Sequence, residues 1–278
     1  MNYRTLLAVH TTDEPLKNLA PVITLARTFN AHVDILIVSA LSAVPTMLLS
    51  QVPSRVWSET MEEIANKSQD RADDVREYFK NEGISVSIDV DAQQIGLLEK
   101  TIAKAAVYCD LVVMPAHESV ISGVSGHTIK GALFAAGKPM LVLKQHSIEA
   151  LAKPDQVLIA WDGSREAALA VHHSLPMLRK ASHVQAFAID ENNKEELRNC
   201  LKALNGQLSR HDIKLDTRLV PCDGQFVSHV FIEYVNSRNP SLLVMGAYGH
   251  TRMREFLFSG TTRVALTHDM NTALLLAH

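Results

Sequence analysis

The sequence has little of what a metalloprotein, a membrane protein or a nucleic-acid-binding protein needs. Its three cysteines are far apart in 278 residues and show no metal-ligand spacing, which is typical of free thiols in a reducing compartment. We find no signal peptide and no run of about 20 apolar residues that could span a bilayer. The 27 basic and 30 acidic residues leave no positive excess to bind a phosphate backbone. We therefore expect a cytoplasmic protein whose partner is neither a membrane nor a nucleic acid.

Familiar catalytic and metal-binding motifs are missing as well. The sequence contains no G-x-S-x-G elbow, no H-E-x-x-H motif and no G-x-x-x-x-G-K-[ST] loop. Its 13 histidines are scattered, and no nucleophile can be assigned to a neighbouring base. His172 and His173 are adjacent on a predicted helix, where neighbouring residues point to different faces. We predict no catalytic residues and no metal-binding residues.

What the sequence does have is a long internal repeat. Five short apolar runs occur in the same order in each half, and most lack polar alternation, as strands covered on both faces do. In the first half the runs are Thr5–His10, His32–Ile37, Ile84–Ile88, Asp110–Met114 and Pro139–Leu143. Their counterparts are Val157–Asp162, His183–Ala188, Ile213–Thr217, Ser241–Met245 and Thr272–Leu276. The pattern predicts five strands in each half.

Helix-like stretches separate most of these runs. They are Leu16–Phe29, Glu59–Lys80 and Leu97–Val107 in the first half and Arg165–Lys180, Lys194–Arg210 and Gln225–Ser237 in the second. Alternating strands and helices imply parallel pairing with right-handed crossovers. We predict an α/β protein of two tandem, doubly wound, parallel five-stranded sheets, with domains at residues 1–147 and 154–278. The final strands, Met140–Leu143 and Ala273–Leu276, are expected to pair with each other, because an open edge strand is a liability.

The halves differ in length, since the first carries roughly twenty extra residues around Leu41–Trp57. We interpret this segment as a loop that packs on something, either a covered interface or a ligand lid.

A spaced glycine loop follows the fourth run of the second half. Gly246 and Gly249 come directly after Leu242–Met245, and Ser259–Arg263 opens a predicted helix ten residues later. Glycines let backbone N–H groups approach a phosphate, and a helix start adds unpaired donors. Because ligands of open parallel sheets lie beyond the carboxyl ends of the strands, the loop is a candidate phosphate site. Either glycine could instead serve only as a turn.

An acidic residue follows the first run of the same half. Asp162 could bond a ribose hydroxyl or help to hold magnesium near phosphates. Asp162 and Ser164 could also be no more than a helix N-cap, since both residue types favour that position. The two interpretations stay open at this point.

The stretches Gly246–Arg263 and Val157–Ser164 resemble the C-terminal signature and the first strand of universal stress proteins. The resemblance covers the whole chain as a tandem pair, strongly in the second half and weakly in the first. Family members with the pattern G-x2-G-x9-G-[ST] bind ATP, with the adenine near the ends of the first two strands and the phosphates along the glycine loop.

The resemblance implies a Rossmann-like fold of the adenine nucleotide alpha hydrolase type, with the two halves related by a pseudo-two-fold axis. It implies ATP, with or without magnesium, or a related adenine nucleotide in the second half. The cofactor-binding residues carried over by position are Ala160, Trp161, Asp162, Ala188, Ile189, Gly246, Tyr248, Gly249, Ser259, Gly260, Thr261 and Thr262.

The sequence also departs from the family pattern. Ser259 stands where the third glycine is expected and Gly260 where Ser or Thr is expected, so their order is reversed. In the first half His10 replaces the acid, and Pro115 and Glu118 replace the two loop glycines. A proline lacks an N–H and a glutamate repels phosphate, so we expect no nucleotide in the first half.

The function implied is that of a nucleotide-binding regulatory or protective protein of the stress response, with at most weak ATPase activity. Two alternatives stay open: an interaction module of the same fold that binds no nucleotide, and a slow nucleotide hydrolase. The two halves should form an intramolecular pair, and further dimerisation of the chain is not decided by its sequence.

Overall fold

The computed structural model describes residues 2–39, 54–91, 97–114, 123–143, 151–191, 193–247, 260–268 and 272–278. The strands are β1 (Thr5–Thr11), β2 (His32–Val38), β3 (Val86–Asp91), β4 (Leu111–Met114), β5 (Met140–Val142), β6 (Gln156–Ala160), β7 (His183–Asp190), β8 (Asp216–Pro221), β9 (Leu242–Gly246) and β10 (Ala273–Ala277). The α-helices are α1 (Ala20–Phe29), α2 (Ser54–Phe79), α3 (Leu98–Ala106), α4 (Gly123–Ile129), α5 (Arg165–Leu178), α6 (Lys194–Ser209), α7 (Val227–Arg238) and α8 (Thr261–Thr267). A 3₁₀ turn (Leu16–Leu19) precedes α1, and a π-helical segment (Lys130–Ala135) follows α4.

By its internal contacts the chain divides into two compact units. One unit comprises Tyr3–Met114 together with the helical stretch Gly123–Ala135 and the residues up to Lys138, and the other contains Pro139–His278. The strand β5 therefore packs with the second half of the chain, although the sequence repeat assigns it to the first.

The sheet of the first unit has the order β3-β2-β1-β4, in which β1 pairs in parallel with β2 and β4, and β2 pairs in parallel with β3. The interior of β1, Leu6 to His10, is buried without a break, because helices cover both faces of a doubly wound sheet. The edge strand β3 alternates between half-buried and exposed residues over most of its length.

The sheet of the second unit has the order β5-β10-β9-β6-β7-β8. The strands from β10 to β8 in this order pair in parallel, whereas β5 pairs with β10 in the antiparallel sense and sets Leu141 opposite Leu275. The predicted pairing of the two final strands is thus confirmed. The pair covers a row of main-chain groups that would otherwise form an open edge.

The predicted fold class is confirmed, and the predicted helices agree with the observed ones to within a few residues at most ends. The third strand of each half is present but begins later than predicted: β3 begins at Val86 and β8 at Asp216, two and three residues after the predicted starts. Both are edge strands with polar exposed positions, so the apolar run is a poor guide to them. The helix α2 begins at Ser54, five residues before the predicted start. Within the described residues, no helix is both long and apolar enough to cross a membrane.

Candidate functional site

The carboxyl ends of β6 and β9 lie side by side in the sheet of the second unit. The two strands are parallel neighbours, with Ala160 opposite Met245. From β6 the chain continues to β7 on one side, while β9 continues to β10 on the other. This reversal is the place where open α/β sheets bind ligands. The predicted residues Asp162 and Gly246 lie at this reversal.

Asp162 is exposed, and its carboxylate accepts a hydrogen bond from the Ser164 main-chain N–H at 2.9 Å. Ser164 is the N-cap of α5, and its Oγ accepts from the Ala167 N–H at 3.1 Å. The capping interpretation is therefore confirmed for Ser164. Asp162 stabilises the turn through Oδ1, and its carboxylate remains exposed to solvent beyond the carboxyl end of β6.

Gly246 ends β9, and its missing side chain is explained by packing. A Cβ built there would lie 2.6 Å from the Ala167 main-chain N and 2.8 Å from the Glu166 carbonyl carbon. The start of α5 therefore touches β9 through this glycine. The next N–H, that of Ala247, donates to the Ala277 carbonyl at 2.8 Å. The Ala247 N–H is therefore paired within the sheet and is not available to a ligand.

Gly260 has a left-handed backbone, with φ 77° and ψ −156°. It is exposed, and a Cβ built on it would meet no atom within 4 Å. Its glycine identity is thus required by conformation and leaves the main chain open to solvent. Thr261 is half-buried and Thr262 is 5% exposed.

Strand β7 extends beyond the end of its neighbour β6. The last pair in their register is Ala160 with Phe187, and the Trp161 N–H adds one more bond, to the Phe187 carbonyl at 2.9 Å. Strand β7 continues to Asp190, three residues further. Ala188 is buried and Ile189 is half-buried in this extension. The predicted cofactor-binding residues Trp161, Ala188 and Ile189 therefore lie together at the end of β7 that projects beyond β6, which we call the ledge.

Sequence reasoning missed two residues near this ledge. Asp190 is the acid that ends β7, as Asp162 follows β6, and its position directly after an apolar run was the available signal. Cys200 on α6 lies against the turn after β6, with its Sγ 3.1 Å from a Cβ built on Gly163. An open groove of about 630 Å³ runs along the start of α6 and includes Cys200 among its lining residues. No local sequence pattern indicated that contact.

The corresponding strand end in the first unit is closed. His10, which aligns with Asp162, is 0% exposed. Its Nδ1 lies 3.1 Å from Glu14 Oε2, although neither ring nitrogen makes a hydrogen bond of good geometry. A buried imidazole thus takes the place of an exposed carboxylate.

A chain of hydroxyl groups fills the space beside this strand end. Ser39 Oγ donates to Thr12 Oγ1 at 3.3 Å and lies 2.9 Å from Ser68 Oγ. Arg71 donates to the Thr12 carbonyl from two guanidinium nitrogens, at 2.6 and 3.0 Å. Ser68 and Arg71 belong to α2, so this helix seals the ends of β1 and β2 with polar contacts of the protein itself.

Several predicted positions lie outside the described residues. They are Tyr248, Gly249 and Ser259 in the second half, Pro115 and Glu118 in the first, and most of the Leu41–Trp57 segment.

Solved structures with the same architecture include universal stress proteins. A universal stress protein from Archaeoglobus fulgidus superposes with a TM-score of 0.72 at 14% identity, covering 98% of this chain and 97% of that one. A putative universal stress protein from Pseudomonas aeruginosa gives 0.61 at 15% identity, with 99% and 93% covered. The chain therefore has the fold of universal stress proteins, over the length of a tandem pair. At the level of sequence, no protein-family model and no characterised protein matches it.

The same fold also occurs in a protein of another kind. The cytoplasmic domain of a prokaryotic cation chloride cotransporter superposes with a TM-score of 0.51 at 13% identity, with 100% of this chain and 95% of that one covered. Because fold does not determine function, the function has to be argued from the residues at the strand ends.

Proposed function

We propose that this chain is a tandem universal stress protein that binds ATP, or a related adenine nucleotide, in its second half. Its role would be regulatory or protective and cytoplasmic, with nucleotide occupancy biasing its association with protein partners. The observation that carries the proposal is the juxtaposition of the ends of β6 and β9, where Asp162 remains exposed beside Gly246.

The groups at the carboxyl ends of β6 and β9 are chemically suited to bind a nucleotide. The Asp162 carboxylate can accept from ribose hydroxyl groups or contribute to a magnesium site. No atom obstructs the approach to the Gly260 main chain. Thr261, the next residue, has a hydroxyl group that can donate a hydrogen bond to a phosphate oxygen. The reversed order of Ser259 and Gly260 is compatible with this arrangement, since Gly260 holds the left-handed conformation at the start of α8.

The first half is proposed as the structural partner of the second. Its strand ends are occupied by the buried His10 and by the hydroxyl groups of Thr12, Ser39 and Ser68. A nucleotide there would have to displace these contacts. One site per chain is the expected stoichiometry.

Calorimetric titration with ATP and magnesium tests the proposal. We expect one nucleotide per chain in the wild-type protein and loss of binding in Gly249→Val, because a branched side chain would block the approach of phosphate. The matched control is Glu118→Val, the aligned position of the first half, which should leave binding unchanged. Absence of both heat and thermal shift at millimolar ATP would instead favour an interaction module that binds no nucleotide.

A further inference from the structure

Two buried polar atoms at the candidate site lack a hydrogen-bond partner. They are the indole Nε1 of Trp161 and the carboxylate Oδ1 of Asp190. Among the described residues of the second unit, no other buried side-chain nitrogen or oxygen is unpaired. Buried polar groups are nearly always satisfied, and an unpaired one costs about 1–3 kcal/mol. That both lie on adjacent strand ends points to one missing partner.

The strand register places both side chains on the same face of the sheet. Trp161 follows Ala160, which is paired with Phe187, so Trp161 lies level with Ala188. Asp190 is two residues beyond Ala188 and shares its face, because side chains alternate along a strand. The Phe187 ring packs on Phe231 of α7, with 5.9 Å between ring centroids. Trp161 and Asp190 therefore occupy the face opposite α7.

The same face carries the contacts of α5 and α6. A Cβ on Gly246, the residue level with Trp161 on the other side, would point at Glu166 and Ala167 of α5. The turn that follows Trp161 touches Cys200 of α6. The two unpaired atoms thus lie at the strand ends, on the face of the sheet that α5 covers and next to the turn that touches α6.

We infer that Asp190 and Trp161 determine the base specificity of the proposed nucleotide site. This inference rests on the proposed function and adds the residues that select the base. A carboxylate accepts hydrogen bonds only, and an indole N–H donates only. The edge of adenine offers the complement, an exocyclic amine that donates and a ring nitrogen that accepts.

Inosine triphosphate is the discriminating ligand. It carries a carbonyl oxygen in place of the amine and an N–H in place of the accepting ring nitrogen. The carbonyl would face the Asp190 carboxylate and the N–H would face the Trp161 donor, so two acceptors and two donors would oppose each other. A site built around hydrogen bonds rejects a ligand that leaves its polar groups unpaired.

Titration of four proteins, the wild type and three variants, with ATP and with inosine triphosphate tests the inference. We expect wild type to prefer ATP by roughly ten- to hundredfold, the range of hydrogen bonds to charged groups. Asp190→Asn supplies an amide that can donate to the carbonyl, so the preference should fall at least tenfold. Glu191→Gln, which removes the same charge from the exposed neighbouring residue, should keep the wild-type preference. Trp161→Phe retains a ring without the donor and should lower the preference as well.

The outcomes separate the two proposals. If wild type binds ATP and Asp190→Asn keeps the full preference for ATP, Asp190 does not contact the base and the inference is overturned alone. If wild type binds neither nucleotide, the proposed function fails with it.

Discussion

A polar residue lies at the carboxyl end of the first strand of each half, His10 within β1 and Asp162 two residues after β6, and the two residues have opposite environments. His10 is fully buried against Glu14, whereas Asp162 is exposed at the edge of its sheet. The first half closes its strand ends with hydroxyl groups and with Arg71 of α2. The second half leaves a ledge of main chain and two unpaired polar atoms. One repeated fold can thus form a sealed end and an open one by exchanging a few side chains.

The largest difference we expect concerns thiol reactivity in the two halves. Burial raises the pKa of the Cys109 thiol to about 12, with Lys138 opposing this through its positive charge. At pH 8 the thiolate fraction of such a group is roughly a thousandfold below that of an ordinary thiol. Cys200 is only half-buried. Mass spectrometry after brief labelling with a thiol reagent should find Cys200 modified and Cys109 protected.

The same shift has a consequence for stability. Because the pKa of Cys109 is higher in the folded than in the unfolded protein, its protonated thiol contributes to the free energy of unfolding. This contribution is fully present below the pKa of the unfolded chain and is lost as the pH rises towards the folded pKa of about 12. Labelling of Cys109 at the rate of Cys200 in the native protein would contradict the burial of the Cys109 thiol.

The next largest effect is the loss of stability expected when an alanine replaces a glycine at a close packing contact of a helix. Gly246→Ala should lower the free energy of unfolding by about 3 kcal/mol, since overpacking against a main chain is costly and the added Cβ would lie 2.6 Å from the Ala167 N. Gly131→Ala in the first half, with a Cβ 2.8 Å from the Glu99 carbonyl oxygen, should also destabilise but leave nucleotide affinity unchanged. Chemical denaturation and calorimetry measure the two quantities.

A control for this pair is Gly206→Ala in α6. A Cβ there meets nothing within 4 Å, and alanine favours a helix over glycine by about 1 kcal/mol. This variant should therefore be more stable than wild type. A Gly246→Ala protein of wild-type stability would mean that α5 can move away from β9 without cost.

The smallest effect concerns the helix cap beside Asp162. Ser164→Ala removes the acceptor for the Ala167 N–H and should cost about 1 kcal/mol. Ser209→Ala removes an exposed hydroxyl at the end of α6 and should change stability by less than about 0.5 kcal/mol. Equal melting curves for the two variants would contradict the capping role of Ser164.

The architecture was predictable from the sequence because its signal is repeated. Buried runs such as Leu242–Met245 appear twice, and the pairing of β5 with β10 follows from the need to cover an edge. The starts of the edge strands β3 and β8 differ from the predicted ones by two and three residues, because polar positions interrupt their apolar pattern.

The candidate site was less predictable. Motif spacing identified Gly246, but its contact with α5 depends on how the helix sits on the sheet. The burial of His10 and the unpaired atom of Asp190 likewise depend on packing between elements distant in sequence. A single sequence carries no local signal for such contacts.

The central claim is that one half binds a nucleotide and the other does not. Titration of Asp162→Asn and His10→Asn with ATP and magnesium tests it most directly, since Asp162→Asn keeps an oxygen for the Ser164 N–H and removes only the charge. We predict one site per chain in wild type, at least tenfold weaker binding in Asp162→Asn, and unchanged stoichiometry and affinity in a folded His10→Asn protein. Two nucleotides per chain, or equal weakening by the two substitutions, would contradict the account.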